Sequence, residues 1–255
     1  MHPVLFTLGP FTVYSYGALM VVAFLAATGL SVRAAHRLPP ALVAIHPEQL
    51  VDFTCASLLG GILGARLFYV ALHWESFVVS PQEIFAIWHG GLVWYGGFLG
   101  GVLAGWGYLR AKRIPFLRAM DQFIPFLALG HAIGRVGCFF NGCCYGRPTR
   151  AWCGVLFPGH ATPVLPTQLF EAAGLLGVYA CLRALQRPGV LRRPGMVFGA
   201  YLAAYALLRF VLEWFRGDQA VSWAGLTLQQ LVSIGVLVIA TTLLGRALRT
   251  PRLEG

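Results

Sequence analysis

Three arginines, Arg66, Arg135 and Arg209, lie inside long apolar runs. A charge in such a place is costly and usually carries function. Arginine suits a phosphate or carboxylate, because its planar fork donates paired hydrogen bonds. Other residues stand where they could complete a site. Tyr205, Arg209, Glu213 and Arg216 follow one another at helical spacing, on one face. His131 lies one turn before Arg135, and Tyr16, Tyr95 and Glu171 each fall within about two turns of the end of an apolar run. Arginines from separate helices at one depth make a site for a buried anion. In a membrane the commonest such anion is a phospholipid headgroup. The same charges could instead pair with Glu171, Glu213 and Asp218 and only lock the helices together.

The elements that must position these residues are set by composition. Of the 255 residues, 58% are hydrophobic and 11% are charged, with a mean hydropathy of +0.71. A soluble domain needs far more charge to cover its surface. The reading is an all-α integral membrane protein, a single polytopic domain over residues 1–255 with about seven transmembrane helices. The apolar segments are 16–35, 50–72, 92–109, 119–139, 167–185, 195–215 and 226–244. The N-terminal Met1-His2-Pro3-Val4 has no basic region and no cleavage site, so the first helix is read as retained.

The formal charge is +10, but its distribution argues against nucleic acid. Thirteen of the nineteen Lys and Arg fall in the connections after the first, third and fifth segments and after the last. The 73–91 loop has none. This asymmetry predicts a periplasmic N-terminus, a cytoplasmic C-terminus and a periplasmic loop near 140–166. Trp74, Trp88, Trp94, Trp152, Trp214 and Trp223 then fall near the outer interface. On that topology Arg66, Arg135 and Arg209 all sit roughly 21–24 Å from the inner face. Gly60 with Gly64, Gly97 with Gly101, and Gly130 with Gly134 form Gly-x-x-x-Gly pairs that let helices approach closely.

The most distinctive stretch is Gly134-Arg135-Val136-Gly137-Cys138-Phe139-Phe140-Asn141-Gly142-Cys143-Cys144-Tyr145-Gly146. It resembles the G-R-x-G-x-F-x-N-G-x-x-x-G signature of bacterial prolipoprotein diacylglyceryl transferases. Gly64-Ala65-Arg66-Leu67-Phe68-Tyr69, Gly90-Gly91-Leu92-Val93-Trp94-Tyr95-Gly96-Gly97, Pro166-Thr167-Gln168-Leu169-Phe170-Glu171 and Tyr205 to Arg216 agree with that family in order. The resemblance implies a multi-pass protein of the bacterial cytoplasmic (inner) membrane. It would transfer the diacylglyceryl group of phosphatidylglycerol to the lipobox cysteine thiol of a preprolipoprotein signal peptide, releasing glycerol 1-phosphate. Its partners would be these substrates and membrane lipids. It further implies that Arg135 and Arg209 are essential and that Tyr16, Arg66, Asn141, Gly146, Glu171, Tyr205, Glu213 and Arg216 line or support the site.

Two features depart from the pattern. Some family members have a His, the usual base candidate, where this chain has Tyr95. A tyrosine with a reference pKa near 10 is a poor base at neutral pH. His131 is the preferred substitute for its place beside Arg135; His89 is another, and the arginine field alone is a third. The second departure is the cluster Cys138, Cys143, Cys144 and Cys153. Its spacing is not that of a standard zinc site, and no metal or cofactor is expected. A disulfide from Cys153 to Cys143 or Cys144 is one reading; small residues tolerated in a tight loop is another. A membrane thiol–disulfide oxidoreductase would use these cysteines, but the chain has no C-x-x-C pair and the arginines would be unexplained. A transporter would predict an internal repeat, and none is evident.

Overall fold

The computed structural model describes residues 3–9, 11–186, 193–217 and 221–249. Asp218, one of the pairing partners considered above, lies outside them. The described residues are mostly helical: α1 (Ser15–Ala35), α2 (Pro47–Leu72), α3 (Trp74–Val79), α4 (Trp94–Ala111), α5 (Phe116–Asn141), α6 (Thr167–Leu185), α7 (Met196–Glu213) and α8 (Leu228–Arg249). Among the described residues, six spans are long and apolar enough to cross a membrane: α1, the Pro40–Leu72 stretch that contains α2, and α5 to α8. The remaining expected segment, 92–109, is the helix α4. Its six glycines, its Trp and Tyr residues and Arg110 keep its mean hydropathy below that of the six.

Burial is inverted relative to a soluble protein. Leu25, Leu63, Leu67, Val238 and Ile239 are exposed on the long helices, whereas Arg66, Gln122, Gln168, Glu171, Glu213 and Gln230 are buried. Apolar faces of this extent belong against lipid tails. The architecture is that of an integral membrane protein.

The sequence reading did not anticipate two small β-pairs. β1 (Val4–Leu8) pairs antiparallel with β2 (Phe11–Tyr14). β3 (Val221–Trp223) pairs with β4 (Leu226–Thr227) through Ala224 and Gly225, both at positive φ, the backbone a tight two-residue hairpin requires. Strands this short carry no hydropathy period. The 73–91 loop likewise holds α3 and two 3-10 turns.

The chain divides into two compact units. One comprises Val32–Leu38 and Val43–Ala119. In it, α2 and α4 pack through glycines. A Cβ on Gly64 would lie 2.9 Å from the Gly100 Cα, and one on Gly60 would lie 2.8 Å from the Gly100 carbonyl oxygen. No larger side chain fits at that approach. On α4 both Gly96 with Gly100 and the expected Gly97 with Gly101 face α2; a Cβ on Gly101 would lie 3.1 Å from the Ser57 carbonyl oxygen.

The other unit comprises Met1–Ser31, Pro39–Leu42 and Met120–Gly255. Its core joins α5, α6 and α7 through Ile124, Ala128, Leu182, Val197 and Tyr201. Pro125 interrupts α5. It has no N–H to give the Asp121 carbonyl four residues earlier. The Gln186 side chain donates there instead, at 2.5 Å. The Asp121 carboxylate in turn accepts the Gly195 and Phe198 N–H groups at 2.5 and 2.8 Å, satisfying the open first turn of α7. α1 lies against α5 at Gly137, where a Cβ would meet the Tyr16 ring at 3.3 Å.

Candidate active site

Three helices of this second-described unit converge on a polar cluster. From α5 come His131 and Arg135, from α6 Glu171, and from α7 Tyr205, Arg209 and Glu213. Glu171 is the hub. One of its carboxylate oxygens lies 3.0 Å from Arg135 Nη2 and 3.9 Å from His131 Nε2. The Tyr205 hydroxyl donates to the same oxygen at 3.1 Å. Arg209 Nη2 lies 2.9 Å from Glu213 Oε2, one turn along α7. Both guanidiniums act electrostatically on His131 and on Tyr205, so the two ion pairs flank one locus.

The pairing is incomplete in an informative way. Each arginine meets its carboxylate through Nη2 alone. Arg135 Nε and Arg209 Nη1 are buried and have no hydrogen-bond acceptor among the described residues. A buried N–H without an acceptor costs about 1–3 kcal/mol, so such donors mark where an acceptor is wanted. An anion between the two guanidiniums would supply it, and a phosphate offers several oxygens at once.

The carboxylates are fixed from behind. Thr227 Oγ1 donates to the second Glu213 oxygen at 2.7 Å. Thr227 also begins α8 as a capping box with Gln230: the Thr227 N–H reaches the Gln230 side-chain oxygen at 3.1 Å, and the Gln230 N–H reaches Thr227 Oγ1 at 3.3 Å. The sequence reading missed Thr227 as a supporting group, although the T-x-x-Q spacing signals it. Thr167 and Gln168 support the connection after α5. The structure has them donating to the carbonyls of Cys144 and Cys143, at 2.9 and 2.6 Å.

Of the other expected residues, Tyr16 stands beside Gly137, two residues after Arg135 on α5. Asn141 ends α5 and is exposed, and Gly146 is buried in the connection that follows. Arg216 acts electrostatically on Cys144. Hydrogen bonds from the Cys138 and Cys143 thiols, and then the Arg135 and Arg216 guanidiniums, hold the Cys144 thiol below its ordinary range. All six cysteines are free, and Cys143 and Cys144 gather with Cys138 rather than with Cys153.

Arg66 and Tyr95 belong to the other compact unit. Tyr95 is exposed and packs edge-on against Trp94. Arg66 is buried, and its guanidinium is spent on loop backbone. Nε donates to the Ile84 carbonyl at 2.9 Å, Nη1 to those of Gly90 and Gly91 at 2.7 and 3.1 Å, and Nη2 to that of Glu83. Arg66 is thus a clasp on the 83–91 loop. Hydrogen bonds from a charged donor contribute about 1.5–3 kcal/mol each. Arg66→Gln should therefore raise hydrogen exchange of backbone amides in 83–93 by at least about tenfold. Unchanged exchange there would mean that the loop holds itself.

The family model for prolipoprotein diacylglyceryl transferase matches residues 3–246. This chain belongs to that family. A phosphatidylglycerol–prolipoprotein diacylglyceryl transferase of Trichormus variabilis is 35% identical over 248 residues, covering 89% of this chain and 86% of its own. The protein of the same description from Geobacter sulfurreducens is 38% identical over 223 residues, covering 86% and 84%. That from Legionella pneumophila (strain Lens) is 34% identical over 246 residues, covering 94% of both. The match therefore includes all the helices that carry the ion-pair cluster of this diacylglyceryl transferase family member.

Proposed function

We infer that this chain transfers the diacylglyceryl group of phosphatidylglycerol to the lipobox cysteine thiol of a preprolipoprotein. The observation that carries this reading is the pair of buried guanidiniums, each half-neutralised by glutamate and each keeping a buried donor without an acceptor among the described residues. The cysteine sulfur attacks the glycerol carbon next to the phosphate. A C–S thioether bond forms, the C–O bond breaks, and its electron pair leaves on glycerol 1-phosphate. The thiol proton leaves the nucleophile. Arg135 and Arg209 bind the phosphate and stabilise the charge that gathers on the departing oxygen. Glu171 and Glu213 hold the two forks in place, and Tyr205 fixes Glu171. Tyr16, Asn141, Gly146 and Arg216 shape the surrounding site, and Arg66 sets the 83–91 loop.

The chain sits in the bacterial cytoplasmic membrane as a polytopic domain. It has seven crossings, counting α4, with the N-terminus and the 140–166 connection in the periplasm and the C-terminus in the cytoplasm. The exposure of Trp74, Trp88, Trp94, Trp152, Trp214 and Trp223 suits an interfacial belt. The decisive assay incubates membranes carrying the protein with labelled phosphatidylglycerol and a lipobox peptide. Label on the peptide supports the reading; membranes rich in the protein that leave the peptide unlabelled reject it.

His131 is the proposed proton acceptor, because it lies 3.9 Å from Glu171 at the ion-pair hub. His131→Asn should lower turnover at matched protein levels. Tyr95→Phe should cost less. A severe loss in Tyr95→Phe beside a near-normal His131→Asn would reverse the assignment.

A further inference from the structure

Cys138 lies in the last turn of α5, just before the chain reverses. The reversal runs through Gly142 at φ +74° and Cys144 at φ +64°. This folds the next two cysteines back over the first, so that the three sulfur atoms lie within 4.8 Å of one another. The backbone of the reversal is clamped. The Cys143 carbonyl accepts from Gln168 Nε2 and the Cys144 carbonyl from Thr167 Oγ1, both on the first turn of α6. The Cys143 N–H bonds to the Cys138 carbonyl at 3.2 Å.

Three sulfurs held this way match a known ligand class. With metal–sulfur bonds of about 2.3 Å, a trigonal three-sulfur site spaces its sulfurs by about 4 Å. The three sulfurs, all within 4.8 Å of one another, are gathered on that scale. The group contains no His, Asp or Glu. An all-thiolate set selects soft ions, and Zn²⁺ in structural sites almost always takes four protein ligands. The complex would carry net negative charge, and Arg135 acts electrostatically on Cys138 and Cys144, with Arg216 acting on Cys144. That positive field favours an anionic metal–thiolate complex over a neutral one.

We propose that Cys138, Cys143 and Cys144 bind one soft monovalent metal ion, Cu(I), through three thiolates. This is independent of the transfer reaction, whose thiol belongs to the substrate.

The test uses the full-length protein, reduced and anaerobic in detergent micelles, titrated with Cu(I) presented by bicinchoninate. The expected result is uptake of one equivalent, with a copper X-ray absorption spectrum fitted by three sulfur neighbours. Cys138→Ser, Cys143→Ser and Cys144→Ser should each weaken uptake by more than the roughly 10–100-fold that loss of a supporting group costs. Cys153→Ser and Cys181→Ser should leave it unchanged. Maleimide labelling of the wild type needs no variant: copper should protect the three clustered thiols and leave Cys181, which is exposed, reactive. Sub-stoichiometric uptake, full affinity in any of the three single variants, or a disulfide formed within the cluster in place of metal uptake would overturn the proposal.

Discussion

Arg135→Lys should reach the membrane at the wild-type level and transfer lipid about 100- to 1,000-fold more slowly, the range for removing one preorganised donor from a developing negative charge. The geometry explains why retained charge is not enough. The Arg135 fork faces two ways: Nη2 toward Glu171, and Nε toward no protein acceptor. A lysine ammonium is a single point. It can satisfy Glu171 or the phosphate, but it cannot span both in fixed geometry. Arg209→Lys should behave alike, because Nη2 holds Glu213 while Nη1 lacks an acceptor.

The alanine variants differ from the lysine ones. Arg135→Ala leaves Glu171 charged with only 3% of its side chain exposed. Breaking a buried pair from one side costs about 3–5 kcal/mol. A drop in thermal stability should accompany its loss of activity. Adding Glu171→Gln should restore stability and not transfer. Transfer measured at matched protein levels, beside melting in detergent, separates the two effects. Wild-type rates in both lysine variants would make the arginines structural counter-ions and place the phosphate elsewhere.

The membrane architecture was legible because hydropathy is a local property. Residues 167–185 match α6 at both ends, since Pro166 fixes where that helix begins. Other helices outrun their apolar segments at the ends. α2 starts three residues early at Pro47, and α8 carries Arg246 and Arg249 in its last turn, where long basic side chains reach toward the interface. One helical face of α7 was also legible, as was His131 beside Arg135.

What could not be read was anything set by rotation between helices. Which carboxylate takes which arginine depends on how α5, α6 and α7 turn toward one another, and hydropathy does not resolve that. The pairing of the arginines shows in the structure. They are paired with glutamates, and the pairing leaves donors over. Arg66 looked equivalent to the other two by depth. Its guanidinium is taken up by carbonyls of an irregular loop whose path no periodicity reveals. The thiol cluster was hidden for a similar reason: two positive-φ residues bring together cysteines that sequence spacing alone does not.

Gly146→Val should abolish most transfer, by at least about 100-fold, the cost of displacing catalytic groups by roughly 1 Å. Gly146 is not at positive φ, so backbone freedom is not what it supplies. It supplies room. A Cβ there would lie 2.8 Å from Thr167 Cγ2 and 2.9 Å from Leu165 Cβ, and would press on the Phe215 carbonyl. Three elements meet at this point. The Gly146 N–H donates to Leu165 at 2.8 Å and the Arg147 N–H to Phe215 at 2.9 Å, while the Arg147 side chain donates to the Trp214 carbonyl. The connection after α5 is thereby tied both to the start of α6 and to the end of α7. Those are the helices that carry Glu171 and Arg209. A branched side chain must push them apart, and the two ion pairs move with them. Gly142→Ala is the contrasting control. Its φ is +74° and its nearest neighbour, a Phe157 ring carbon, stands at 3.6 Å, so alanine meets strain of about 1–2 kcal/mol without a collision. It should lose some stability and keep most of its transfer. Transfer at the wild-type rate by Gly146→Val, at matched protein levels, would show that this junction does not position the arginines.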